Sequence, residues 1–189
     1  VLFNHLKSRR ELTLDLSLVA LIQLAARAYG LFTVVQARPV YLAFEVDRFR
    51  AVTVADIQRE KLRPELGGLH VIGWGGPKVI GVRTPKDNQE MMQSLDLSLG
   101  GIDPSVRPDW WVPYEDVRSR VLAKAQPLSQ LRAKRPEQKS VIDAAVAESG
   151  SQESQLAWLP ITSFQSTGWV ALVDAKTADI KSFAPVDGF

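Results

Sequence analysis

"LDLSLVALIQLAARAYGLFTVVQ", residues 14–36, decides how this chain is organised. From Leu16 to Val35 it holds 20 residues, of which only Ser17, Gln23, Arg27 and Thr33 are markedly polar, and none is proline. At about 1.5 Å per helical residue the run covers roughly 30 Å, the depth of a bilayer's hydrocarbon core. The competing reading is a core helix of a soluble domain, with Gln23 and Arg27, four positions apart, in one polar stripe. Lys7, Arg9 and Arg10, just before the run, favour the membrane. Under the positive-inside rule they mark the cytoplasmic flank and send everything after Arg38 to the far side. Tyr29 lies too deep to serve as an interfacial belt residue, and the outer flank "QARPVY" offers only Tyr41 and Arg38 as anchors. The expected orientation therefore rests on charge rather than on aromatics.

Arg27 needs a reason to be there. A charge at the bilayer centre costs at least ~3 kcal/mol on insertion scales, so such a residue faces a partner or reaches for water. Around it stand Ala25, Ala26, Ala28 and Gly30, small residues that let a second helix approach closely. Gln23, Arg27 and Gly30 are accordingly expected to contact protein, either an upstream part of the same polypeptide or a separate membrane protein.

Composition narrows the function classes. The 23 Lys plus Arg nearly cancel 21 Asp plus Glu, leaving a net charge of +2, which lacks the concentrated basic surface that phosphate contacts require. The absence of cysteine excludes disulfides, thiolate zinc sites and thiol nucleophiles, and leaves the compartment open. The first residue is Val1, with no secretory n-region, so the chain is expected to begin inside a longer natural protein.

Beyond Pro39 the hydrophobic period falls to two. "VYLAFEVD" and "RFRAVTV" read as strands about a turn at Asp47 and Arg48, the first alternating less cleanly than the second. "ADIQREKLRPEL" has the composition of a short helix opened by Asp56 and stopped before Pro64. In "GGLHVIGWGGPKVIGVRTP" the composition predicts a strand over "KVIGVR", after a "GWGGP" turn. "DNQEMMQSLDLSLGG" is a helix with Asp87 at its start and Gly100 past its end. Helices are predicted over Tyr114 to Ala125, Leu128 to Lys134 and Pro136 to Ser149, the last with proline suited to its first turn. "LAWLPITS", "WVALVDA" and "IKSFAP" are strands, the last two forming a hairpin with "AKTAD" at its tip. The expected class is α+β: an N-terminal transmembrane helix followed by a small mixed domain with antiparallel strands. Its segments are 1–13, a cytoplasmic turn and the end of a preceding span; 14–36, the span; and 37–189, an outer domain.

No constellation for catalysis stands out. His5 and His70 are the only histidines, His5 lies in the basic flank, and no G-x-S-x-G elbow accompanies His70. "GWGGPKVIG" lacks the order of a phosphate loop, since its lysine leads into a strand-like run rather than a helix. Asp87, Asp96, Asp103, Asp109, Glu115 and Asp116 are scattered without calcium-loop spacing and read as caps and solvated faces. No metal, cofactor, nucleic acid or small-molecule substrate is expected, and the chain reads as non-enzymatic. "DWWVPY", Asp109 to Tyr114, packs three aromatics between two prolines. It is either a hydrophobic staple ahead of the next helix or an exposed contact patch. In an extended segment neighbouring side chains point to opposite sides, so at least one of Trp110 and Trp111 is expected to face outward and bind protein.

"LDLSLVALIQLAARAYGLFTVVQARPVYLAFEVDRFRAVTVADI" runs an apolar helix directly into an R-P-V-Y strand and a V-D-R-F turn. With "WWVPYE" and the closing "WVALVDAKTADIKSFAPVDGF", it resembles the type IV pilin accessory proteins of the TfpX/TfpZ kind, most strongly over residues 12–57. The resemblance implies a bacterial inner-membrane protein with further spans upstream and a periplasmic C-terminal domain. "VLFN" would then close a preceding span and "HLKSRREL" form a short cytoplasmic turn. It implies a partner, a pilin subunit, whose assembly into type IV pili the protein modulates in a chaperone-like way, and it carries over no catalytic residue. Arg27 is then a candidate to pair with the glutamate that pilins carry near the start of their apolar helix. The same build also suits another class, a membrane-anchored periplasmic immunity or antagonist protein binding a toxin or phage component.

Overall fold

The computed structural model describes residues 8–61, 76–163 and 167–189. The chain divides into two units, one ending at Arg38 and one running from Pro39 to Phe189.

The first unit is a single helix, α1 (Arg9–Ala37). Ser8 caps it: its hydroxyl accepts from the Glu11 backbone N–H, and the Glu11 carboxylate accepts in return from the Ser8 backbone N–H at 2.9 Å. No residue of α1 is buried, although the helix carries Leu14, Leu18, Leu21, Ile22, Leu24, Leu31 and Phe32. Length and composition alone suit it to cross a membrane. Thr13 and Thr33 donate their hydroxyls to the carbonyls of Arg9 and Gly30, both at 2.8 Å, so these polar groups are satisfied inside the helix itself.

Among the described residues, the second unit is built on an eight-stranded sheet. Its strands are β1 (Pro39–Glu45), β2 (Arg48–Thr53), β3 (Lys78–Val82), β4 (Trp111–Pro113), β5 (Gln126–Pro127), β6 (Leu156–Thr162), β7 (Trp169–Asp174) and β8 (Ile180–Ala184). The spatial order is β4-β3-β1-β2-β6-β7-β8, with β5 added to β6. The helices are α2 (Asn88–Leu99), α3 (Arg118–Lys124), α4 (Leu128–Lys134) and α5 (Lys139–Ser149). The helix caps at Asp87 and Gly100 fall where the sequence places them, with the Asp87 carboxylate accepting from the Glu90 N–H at 2.7 Å. The β7–β8 hairpin closes at "AKTAD", where the Asp174 N–H donates to the Asp179 carbonyl.

Both faces of the sheet are covered, which explains the imperfect alternation of β1 and the unbroken apolar run from Leu156 to Ile161 in β6. On one face Leu42, Phe44, Phe49, Leu159, Ile161 and Ala171 pack under Val117 and Val121 of the Tyr114–Lys124 segment. On the other, Trp158, Leu172 and Val170 pack under Leu128, Leu131 and Ile142 of α4 and α5. Farther along that second face, Tyr41, Ala43, Val52 and Ile80 meet Val106, Trp110 and Trp111.

The expected antiparallel strands are present, β1 with β2, β3 with β4, β5 with β6, β6 with β7 and β7 with β8, and the sheet also holds two parallel pairs, β1 with β3 and β2 with β6. Two expectations are corrected. The stretch expected as a helix opened by Asp56 forms only a 3-10 turn over Arg59–Lys61 among the described residues. The Asp56 carboxylate turns back to accept from the Thr53 N–H and hydroxyl instead of capping forward. The helix expected from Tyr114 begins as a 3-10 turn over Tyr114–Val117 before α3. The readings of His5, His70 and the "GWGGP" turn fall on residues 1–7 and 62–75, or run into them, and lie outside the described residues.

Candidate protein-binding surfaces

On α1, Gln23, Arg27 and Gly30 stand at i, i+4 and i+7, an arc of about 60° on one helix face. Gly30 leaves that face open, since nothing lies within 4 Å of where a Cβ would stand. Arg27 makes no hydrogen bond or ion pair among the described residues. The structure thus sets these three candidates in one stripe of the exposed helix.

The tryptophans are placed differently from expectation. Trp110 and Trp111 are each only 4% exposed, so neither faces outward. The alternation argument fails because Trp110 ends a 3-10 turn, Pro108–Trp110, and only Trp111 enters a strand. The Trp111 indole N–H donates to the Ser105 carbonyl at 2.8 Å, and its ring lies 4.6 Å from that of Tyr41. Trp110 is held between two guanidinium groups, Arg83 at 4.2 Å and Arg107 at 4.4 Å from its ring centre. Arg107 is itself buried and donates to the Ser94 hydroxyl at 2.5 Å, which ties α2 to this loop.

Beside Trp110 a half-open cleft of about 430 Å³ runs between α2 and the ends of β1 and β3. Its walls include Val46, Val82, Met91, Leu95 and Trp110, with Glu45, Arg83 and Arg120 among its charged lining residues. α2 buries only Ser94, so Met91, Met92, Leu95 and Leu99 form a stripe turned away from the core, Leu99 being 88% exposed. The cations are already engaged. Arg83 pairs with Glu90 at 2.6 Å and Arg120 donates to the Val82 carbonyl. The Arg83 guanidinium and then the Lys86 N–H hold the Glu90 carboxyl down at about 2. Burial pushes the Glu45 carboxyl the other way, upward, and Ser105, Arg50 and Arg107 offset this only in part. Glu45 makes no ion pair among the described residues.

Val46 closes the rim. It has φ of 57° and is 71% exposed, and the Asp47 N–H donates across it to the Glu45 carbonyl at 2.7 Å. That is a three-residue γ-turn with its centre at positive φ, a strained conformation most disfavoured for a β-branched residue. Sequence reasoning missed this cleft. The apolar positions 91, 95 and 99 are legible at helical spacing, but their exposure among the described residues is not.

Compared with known proteins, the chain is similar over its whole length to two fimbrial assembly proteins of Dichelobacter nodosus. Those of serogroups I and E1 are each 28% identical over 190 aligned positions, covering 100% of this chain and 74% of the relative. A third, of serogroups C1 and C2, is 39% identical over 62 positions, which is 33% of this chain and 47% of that protein. No known family profile and no solved structure matches. The full-length likeness to named fimbrial assembly proteins agrees with the resemblance to the type IV pilin accessory family.

Proposed function

We propose that this protein is a non-enzymatic accessory factor, anchored in the bacterial inner membrane by α1, that binds a pilin subunit and modulates type IV pilus assembly. The observation that carries this reading is the full-length similarity to proteins named for fimbrial assembly. An apolar 29-residue helix with no buried residue supports the anchor. The basic Arg9 and Arg10 at its start favour an orientation with the Pro39–Phe189 unit in the periplasm. A pilin awaiting assembly presents an apolar helix in the bilayer and a head outside it, and this chain offers a surface for each.

Within the bilayer, the Gln23, Arg27 and Gly30 stripe is the helix-contacting surface. Gly30 admits close approach, and Arg27 supplies a charge whose burial in lipid a partner's acidic or carbonyl group offsets. The test is affinity purification of the full chain from detergent-solubilised membranes, with the bound protein identified by mass spectrometry. Pilin is expected in the eluate, reduced when Arg27→Glu replaces the parent. Consistent recovery of a toxin or phage protein in place of pilin would refute the reading.

A further inference from the structure

We propose that α2 is a hinged flap, latched onto the Pro39–Phe189 unit by the two guanidinium groups that clamp Trp110, and that it releases as a unit while the sheet stays folded. The helix is inverted for a core element. Its inward positions, Glu90, Ser94 and Ser98, recur at i, i+4 and i+8 and are all polar. Met92, Leu95 and Leu99 are exposed and lie roughly 100–160° around the helix from Ser94. No apolar side chain of α2 is buried, so the packing that supplies most helical stability in a folded domain holds it weakly. The cleft of about 430 Å³ lined by Met91, Ser94, Leu95 and Ser98 leaves space where a packed helix would have neighbours.

Polar contacts hold α2 instead. The Glu90 carboxylate accepts from both terminal nitrogens of Arg83, at 2.6 and 2.9 Å, and the Ser94 hydroxyl accepts from Arg107 at 2.5 Å. Both arginines lie over the Trp110 ring, so one indole positions the two latches. The second latch is incompletely satisfied, because the Arg107 Nε–H is buried with no acceptor among the described residues. A buried donor left unpaired disfavours the closed arrangement.

Hinges lie at both ends. The Arg83 N–H donates to the Trp110 carbonyl at 2.9 Å, and Ile102 packs against the cluster of Tyr41, Val106 and Trp110, so the chain is fixed just outside the helix on each side. Between these anchors and α2 stand exposed residues 84–86 at one end and the Gly100–Gly101 pair at the other. Gly101 has φ of 83°, with nothing within 4 Å of where a Cβ would stand. Torsion at these positions moves α2 without displacing a strand. A helix of 12 residues is marginal in water by itself, so release also loosens its hydrogen bonds. Because α2 forms one wall of the cleft beside Trp110, release opens that cleft from the side.

The test is hydrogen–deuterium exchange of the full chain in detergent micelles, read by mass spectrometry over a series of sub-denaturing urea concentrations. α5 is the internal control: at 11 residues it is nearly as short, but it buries Ile142 and Ala145. The α2 amides are expected to exchange at least about a hundredfold faster than those of α5, and with little urea dependence, since release exposes little surface. Ser94→Ala and Glu90→Gln are each expected to speed α2 exchange about tenfold, the factor for one lost hydrogen bond to a charged group, and to leave α5 unchanged. Glu90→Gln is the deciding variant, because Ser94→Ala strands the Arg107 guanidinium and lowers the stability of the whole unit. If α2 exchanges as slowly as α5 and with the same urea dependence, it opens only on global unfolding and the flap is refuted. If Glu90→Gln leaves α2 unchanged, or speeds α2 and α5 alike, the latch is refuted and the proposal falls with it.

Discussion

Val46→Asn is expected to stabilise the Pro39–Phe189 unit. The left-handed backbone conformation costs an L-residue about 1–2 kcal/mol, and a β-branched side chain belongs at the upper end. Asparagine tolerates that region far better than valine. Against this stands the apolar burial that is lost. Val46 is 71% exposed, so about three-tenths of a side chain worth roughly 1.5–3 kcal/mol when fully buried is at stake, about 0.6 kcal/mol. The difference leaves a gain of about 1 kcal/mol, or a rise of roughly 2–4 °C in Tm for a unit of this size. The assay is thermal unfolding of the full chain in detergent micelles, followed by near-ultraviolet circular dichroism of its tryptophans. Val46→Ala is the control: it shortens the side chain but keeps a Cβ at positive φ, so it is expected to melt at or slightly below the parent. Should asparagine fail to raise Tm, or should alanine raise it as much, the strain assigned to this turn is refuted.

Other positions make equally definite predictions. Gly81→Ala would drive a Cβ into both γ-methyls of Val117, a residue 1% exposed, and is expected to cost about 1–3 kcal/mol in denaturant unfolding, partly recovered by adding Val117→Ala. The Tyr114 hydroxyl donates to the carbonyl of fully buried Ala178 at 2.6 Å, so Tyr114→Phe strands that carbonyl and is expected to lose about 1–3 kcal/mol by the same measurement. Glu90 sits at about 2, below its ordinary 4.5, so folding favours its ionised form. Its contribution is complete above the ordinary value and is lost as pH falls toward 2. Carboxyl NMR titration is expected to find that low value in the parent and an upward return in Arg83→Gln.

The correspondence between sequence and structure follows the range of the forces involved. α1, the caps at Asp87 and Gly100 and the β7–β8 hairpin were legible because each depends on residues within a few positions of one another. A hydrophobic run, a carboxylate before a helix and a short polar turn carry their own physical cause. "DWWVPY" was only half legible. Its aromatic content was plain, but a 3-10 turn ending at Trp110 broke the alternation on which the prediction of an outward tryptophan relied. That turn is stabilised by the Trp110 N–H donating to the Arg107 carbonyl at 2.9 Å, while Arg107 reaches across to Ser94, 13 residues away.

By itself, then, the sequence determined an apolar helix long enough to span a bilayer, one charge within it, and a following α+β unit. Hydrophobic period and local capping are properties of neighbours along the chain. Tertiary structure alone decided that β1 lies parallel to β3 and β2 to β6, that Trp110 and Trp111 are buried, and that one side of α2 is exposed among the described residues. Those outcomes depend on which distant segments close against each other and which apolar faces are covered when they do. No periodicity within a single segment encodes that competition.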